Sequence, residues 1–191
     1  MKHTIGPIEK LGTTWWFELF GIQEDVLPYI EAELRSEMDK FEKRYSRFRS
    51  DSLLSKLNHD RVLDNPDEEF VDLCGIALEA YRISGGVFNA AVGSLLESRG
   101  YDAEYSFASS TDMDDEVPKL DDLLVIEDNQ ILLQGVGKLD FGGFGKGYLI
   151  DKLAAILENE LGVRHYLING GGDIYASSDE DNNPIGISMQ H

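Results

Sequence analysis

At 191 residues, with 42% hydrophobic and 28% charged side chains, the chain is long enough to fill a core and too apolar to stay disordered. Its 17 Lys and Arg against 36 Asp and Glu leave a formal charge of -19, which excludes nucleic acid and anionic membrane as partners, because both must be met by a surplus of cations. The single cysteine, Cys74, excludes an intramolecular disulfide and a cysteine metal cluster, and it reads as a small core hydrophobe.

The opening stretch MKHTIGPIEKLGTTWW has no apolar run of signal-peptide length, and no membrane-length run follows. As written the chain is expected to be cytoplasmic; a periplasmic or surface-anchored location follows if a leader has been removed.

The elements are taken in chain order. TTWWFELF, residues 13–20, is β-branched and aromatic and predicts a strand. From Pro28 to about Tyr45, Ile30, Leu34, Met38, Phe41 and Tyr45 recur at spacings of three and four, which puts them on one helical face. SDSLLSKLN predicts a short capped helix, with Asn58 as a cap at its end. A longer helix follows, with Asn65 as N-cap, Pro66 in the first helical position and Gly85 or Gly86 at its close.

VFNAAVGSLLESRGY reads as a turn and a helix. The acidic stretch 110–122 lacks the Gly and the closing Glu of an EF-hand and reads as a solvated linker. LLVIEDNQILLQ is a hairpin about Asp128-Asn129. After the glycine loop KLDFGGFGKG come a helix to about Leu161, a strand HYLING, a GGGD turn with Asp173 as turn former, a strand DIYASS and a last strand PIGISM.

The loop, with its glycines at 142, 143, 145 and 147, matches neither common nucleotide fingerprint. A Walker loop ends G-K followed by Ser or Thr, where this chain has Gly147, and a Rossmann turn spaces its glycines differently. Glycines opening a helix still let the backbone approach a ligand, the helix dipole favours an anion, and Lys146 adds a positive charge. A phosphate or diphosphate fits; a plain glycine turn with Lys146 in solvent fits equally. Asp140 tips this balance, since a carboxylate beside an anion site needs a cation or a ring N–H, which implies a metal or a polar heterocycle.

Five blocks in order then resemble the FAD:protein FMN transferases of the ApbE family. They are LGTTWW, YSRFRSDSLLSKLN, SGGVFNAAVGSLLESRGY, LDFGGFGKGYLIDKL and YLINGGGDIYA. The resemblance implies an α+β, T-fold-like architecture of antiparallel sheets with packed helices. It places the FAD site in a cleft between lobes and makes residues 1–191 a single, C-terminally incomplete transferase domain. It implies a magnesium-dependent (Mg2+) transfer of FMN from FAD to a Thr or Ser hydroxyl of an acceptor flavoprotein, with AMP released. Hydrolysis of FAD to FMN and AMP, or FAD binding without turnover, are the alternatives.

By the same resemblance Leu11 lies against the flavin and Phe48 stacks on the isoalloxazine. Val87, Phe88 and Asn89 cradle the adenosine part, Asp140 and Lys146 bind FAD, and the Gly143 carbonyl ligates magnesium. This chain has Leu11 where the family has Met, Phe48 where Tyr is usual and Asn89 where Asp is commoner. The family's C-terminal third, with the Asp and Thr that complete the magnesium shell, has no counterpart here. The expectation is that a second chain supplies it or that the sequence is a fragment. No residue is singled out as the general base.

Overall fold

The computed structural model describes residues 1–101 and 116–187, and the chain divides into two compact units, 1–42 with 146–191 and 43–145.

The first unit is built on a four-stranded antiparallel sheet in the order β1-β2-β6-β7, with β1 Lys2–Lys10, β2 Thr13–Phe20, β6 Tyr166–Gly170 and β7 Asp173–Ala176. Period-2 alternation sends Trp15, Phe17 and Leu19 of β2 to one buried face, and their partners across the ladder are Gly170, Ile168 and Tyr166. Gly171 and Gly172, both at positive φ, make the two-residue turn between β6 and β7.

Helix α1, Leu27–Tyr45, buries the predicted stripe of Ile30, Leu34, Met38, Phe41 and Tyr45. Helix α6, Gly145–Ala155, ends in a wider π-helical turn at Ile156–Glu160. Phe41 stacks with Tyr148 at 6.0 Å between ring centroids, and Lys152 Nζ reaches Glu37 at 2.7 Å.

Burial raises the Glu37 carboxyl, but the ion pairs with Lys152 and Lys40 together outweigh it and leave the group below its ordinary value of 4.5. A lowered folded value means that this stability is present above 4.5 and is lost as pH falls through the depressed one. Glu37→Gln is therefore expected to lower stability by about 0.5 kcal/mol at pH 7, with the deficit gone in acid. Urea titrations at stepped pH measure it.

The second unit holds a three-stranded antiparallel sheet in the order β3-β5-β4, with β3 Val62–Asp64, β4 Leu124–Glu127 and β5 Gln130–Leu133. The hairpin falls where Asp128-Asn129 predicts it, with both residues at positive φ. Around it lie α2 Leu53–Asp60, α3 Glu68–Ile83, α4 Gly93–Ser98 and α5 Leu120–Leu123. Ser52 caps α2 by accepting from the Ser55 N–H at 3.0 Å. Cys74 is fully buried on α3, and that burial pushes its thiol up to about 12.

Several expectations are corrected. The N-cap of α3 is Asp67, whose carboxylate accepts from the Phe70 N–H at 3.0 Å; Asn65 instead bonds the hairpin, its N–H donating to Asn129 O at 2.9 Å. The end of α2 is closed by Arg61 in a left-handed conformation, and Asn58 faces inward. Residues 120–122 of the expected linker belong to helix α5, while its residues 110–115 lie outside the described residues. Pro184 to Ile187 form no strand, and the rest of PIGISM lies outside the described residues.

Candidate functional site

Within the second unit, the segment 138–141 is held on two sides. Gly93 N–H donates to Lys138 O at 3.0 Å, and Asp140 N–H donates to Ala90 O at 2.8 Å. The buried Asn58 side chain closes the other side, donating through Nδ2 to Leu139 O at 2.9 Å and accepting the Leu139 N–H at 2.7 Å. A single amide side chain thus acts as one rung of a strand neighbour, and it fixes the residue before Asp140.

Asp140 is buried, and its carboxylate has two partners. One oxygen accepts the N–H of Gly142 at 2.8 Å and the other accepts Nε of Arg47. The cation that a carboxylate in this loop requires is therefore Arg47, where the sequence implied a metal or a heterocycle. The Arg47 side chain is 4% exposed; Nη2 donates to Tyr101 O at 2.5 Å, and the guanidinium lies 4.3 Å from the centroid of the Phe48 ring. Tyr101 meets Phe48 edge-on at 5.4 Å.

The loop after Asp140 turns on Phe141. Phe141 O accepts from Phe144 N–H at 3.2 Å and from Gly145 N–H at 2.6 Å. With Gly142 bonded to Asp140, three of the loop's amides are engaged internally, and among the described residues the N–H of Gly143 has no partner. Space there is tight: a Cβ on Gly143 would meet Phe88 Cε2 at 3.1 Å, and the ring would have to yield by a few tenths of an ångström. Beneath the turn the rings of Phe88, Phe144, Phe141 and Phe70 follow at centroid distances of 6.1, 5.3 and 5.9 Å.

The other predicted residues are placed as follows. Val87 is 90% exposed. Asn89 donates through Nδ2 to Pro118 O at 2.9 Å and accepts the Ala91 N–H at 3.0 Å, so the amide does what the family's commoner carboxylate has no donor for. Leu11 and Lys146 belong to the first unit. Leu11 sits at the β1–β2 turn with φ 52 and its N–H donates to Glu42 at 2.9 Å, while Lys146 is half-buried in the first turn of α6.

A cavity of about 310 Å³ beside Arg47 is also lined by Ser55, Asn58, His59, Glu97 and Lys138. Among its lining groups Lys138 pairs with Glu97 at 2.7 Å, while Arg47 and Asn58 are bonded to Asp140 and Leu139. For magnesium, the described residues offer no group of three His, Cys, Asp or Glu side chains, and Asp140 is taken by Arg47 and Gly142. These residues do not form a magnesium site by themselves. Among the described residues no helix is long and apolar enough to cross a membrane.

Fold and site together define an α+β protein organised around a glycine turn that enters a helix behind a buried, arginine-held carboxylate. The chain belongs to the ApbE family, whose model matches residues 11–191. It is similar to the FAD:protein FMN transferases of Klebsiella pneumoniae and Salmonella typhimurium, at 26% and 27% identity over 175 residues. Those matches cover 86% of this chain and 50% of each relative, so the chain spans about half the length of the curated relatives it matches.

Among solved structures, the flavinyl transferase ApbE of Pseudomonas stutzeri in its apo form superposes with a TM-score of 0.80 at 21% identity, covering 99% of this chain and 65% of that one. The flavin transferase ApbE of Vibrio cholerae gives 0.76 at 20% identity, over 99% and 64%. The expected α+β fold of antiparallel sheets and packed helices is the fold of this chain.

Proposed function

We propose that this chain carries the FAD-binding part of a flavin transferase, one ApbE-like domain that moves FMN from FAD to a Thr or Ser hydroxyl of an acceptor flavoprotein. The observation that carries the reading is the Asp140–Arg47 pair behind the glycine turn, which leaves the Gly143 amide open at the start of α6. Relatives bearing the name FAD:protein FMN transferase support it.

In this reading the Gly143 N–H and the Lys146 ammonium meet the diphosphate, and Phe48 and Leu11 contact the flavin. Val87, Phe88 and Asn89 line the adenosine part, where Asn89 acts by holding its own loop in place. The acceptor oxygen forms a bond to the phosphorus on the FMN side, the bond from that phosphorus to the bridging oxygen breaks, and AMP leaves with that oxygen while the hydroxyl proton passes to solvent. Magnesium would screen the diphosphate charge. By the family resemblance the Gly143 carbonyl would be one of its ligands, and no step here is assigned to it.

The test is incubation of the protein with FAD, magnesium and an acceptor flavoprotein, followed by mass analysis of the acceptor. Covalent FMN on the acceptor is the expected product; free FMN and AMP would mark a hydrolase, and intact bound FAD a binding module. Lys146→Ala is expected to weaken FAD binding about tenfold, the effect of one charge-assisted contact to phosphate. Unchanged affinity in calorimetry would remove Lys146 from the site.

A further inference from the structure

We propose that Arg47 is the positioning residue of the flavin site, one guanidinium that sets both the tilt of the Phe48 ring and the direction of the Asp140 carboxylate. The inference rests on the FAD reading above and names a residue outside the set that the family resemblance supplied.

Four contacts leave the guanidinium one orientation. Nε donates to Asp140, Nη2 donates to the Tyr101 carbonyl at 2.5 Å, and its centre lies 4.3 Å from the Phe48 centroid and 5.2 Å from that of Tyr101. Its backbone is tied as well, since Ser55 Oγ donates to Arg47 O at 3.2 Å. A planar fork can meet a carboxylate and a carbonyl along its edge while its face covers a ring; an ammonium group has no such plane to hold both arrangements in one fixed geometry.

Burial gives the arrangement its leverage. With Arg47 4% and Asp140 10% exposed, removal of either charge strands the other away from water. Asp140 would then swing, and with it the bond to Gly142 that shapes the turn exposing Gly143. Arg47 lies over the Phe48 ring and Tyr101 meets its edge, so a displaced guanidinium changes the tilt of the ring that the FAD reading stacks on the flavin. A purely structural ion pair would affect stability alone, whereas a positioning residue also changes how a bound flavin is stacked.

The experiment titrates FAD into the protein and into Arg47→Met, Arg47→Lys, Asp140→Asn and the double variant Arg47→Met/Asp140→Asn, reading affinity, flavin fluorescence and visible absorption of the bound form. Arg47→Met is expected to weaken binding about tenfold or more and to release the stacking-dependent quenching. Arg47→Lys is expected to recover affinity in part while keeping the altered spectrum. The double variant is expected to be no weaker than Arg47→Met alone, since both changes break one unit.

Parent-like affinity and spectrum in folded Arg47→Met, or losses that add in the double variant, would overturn the proposal. If Arg47→Met does not fold by circular dichroism, Arg47→Lys and the double variant, which leaves neither charge stranded, carry the test. Should the parent itself fail to bind FAD, the underlying functional reading falls and this proposal falls with it. Binding by the parent together with unaltered variants refutes the positioning role alone.

Discussion

Asn58→Ala is expected to lower the unfolding free energy by about 3 kcal/mol, because it strips partners from both backbone polar groups of one buried residue at about 1–3 kcal/mol each. The groups are the N–H and the carbonyl of Leu139, at 2.7 and 2.9 Å from the Asn58 amide, and Leu139 itself is fully inaccessible. Urea unfolding followed by circular dichroism measures the loss, and a change below about 1 kcal/mol would mean that water or a shifted chain replaces both bonds. The variant should also weaken FAD binding, because Asp140 is the next residue along the same segment. Asn58→Asp separates the two bonds: a carboxylate still accepts the Leu139 N–H but cannot donate to the Leu139 carbonyl.

Gly170→Ala is expected to cost about 3 kcal/mol, at the upper end of what overpacking a filled core produces. Gly170 pairs with Trp15 across the β2–β6 ladder, and an added methyl would lie 2.6, 2.8 and 2.9 Å from three atoms of the indole ring. The ring has little room to yield, since it is fully buried and its Nε1 donates to Lys10 O at 3.0 Å. Trp15→Phe should rescue much of the loss, because the atoms in conflict belong to the six-membered ring that the smaller side chain retracts. Denaturant midpoints of the two single variants and the double variant decide the matter. An additive double variant would show that the strain lies elsewhere.

How far each element could be read from sequence follows from whether its signal is local. Strand β2 and the stripe of α1 stand out because each carries a clean period, two for Trp15, Phe17 and Leu19, and three to four for Ile30 through Tyr45. Strand β1 has no such period. Its pairing shifts register between Ile5 and Ile8, so the two buried residues fall three apart and the alternation is broken. Asn65 carries the local signature of a cap for α3, but Asn129, 64 residues away, draws it into the hairpin, and Asp67 takes the capping position.

The site divides in the same way. The glycine turn and Asp140 are legible from residue type and order, whereas Phe48 enters only through the family resemblance. Arg47 is not, because its meaning lies in a contact with a residue 93 positions away. The requirement for a cation at Asp140 was the one available pointer to it. Asn58 reads locally as a helix-end cap, and only the return of the chain at Leu139 gives its amide another use.

The aromatic bed beneath the glycine turn has a thermodynamic consequence. Glycine-rich loops ordinarily lose much backbone freedom when a guest fixes them. Here Phe141 holds two amides, Asp140 holds a third, and the rings of Phe88 and Phe144 underlie the turn, so that freedom is already surrendered when the chain folds. In the proposed reading a phosphate at Gly143 would meet a preorganised amide, and the entropic penalty of association would fall on the guest rather than on the protein.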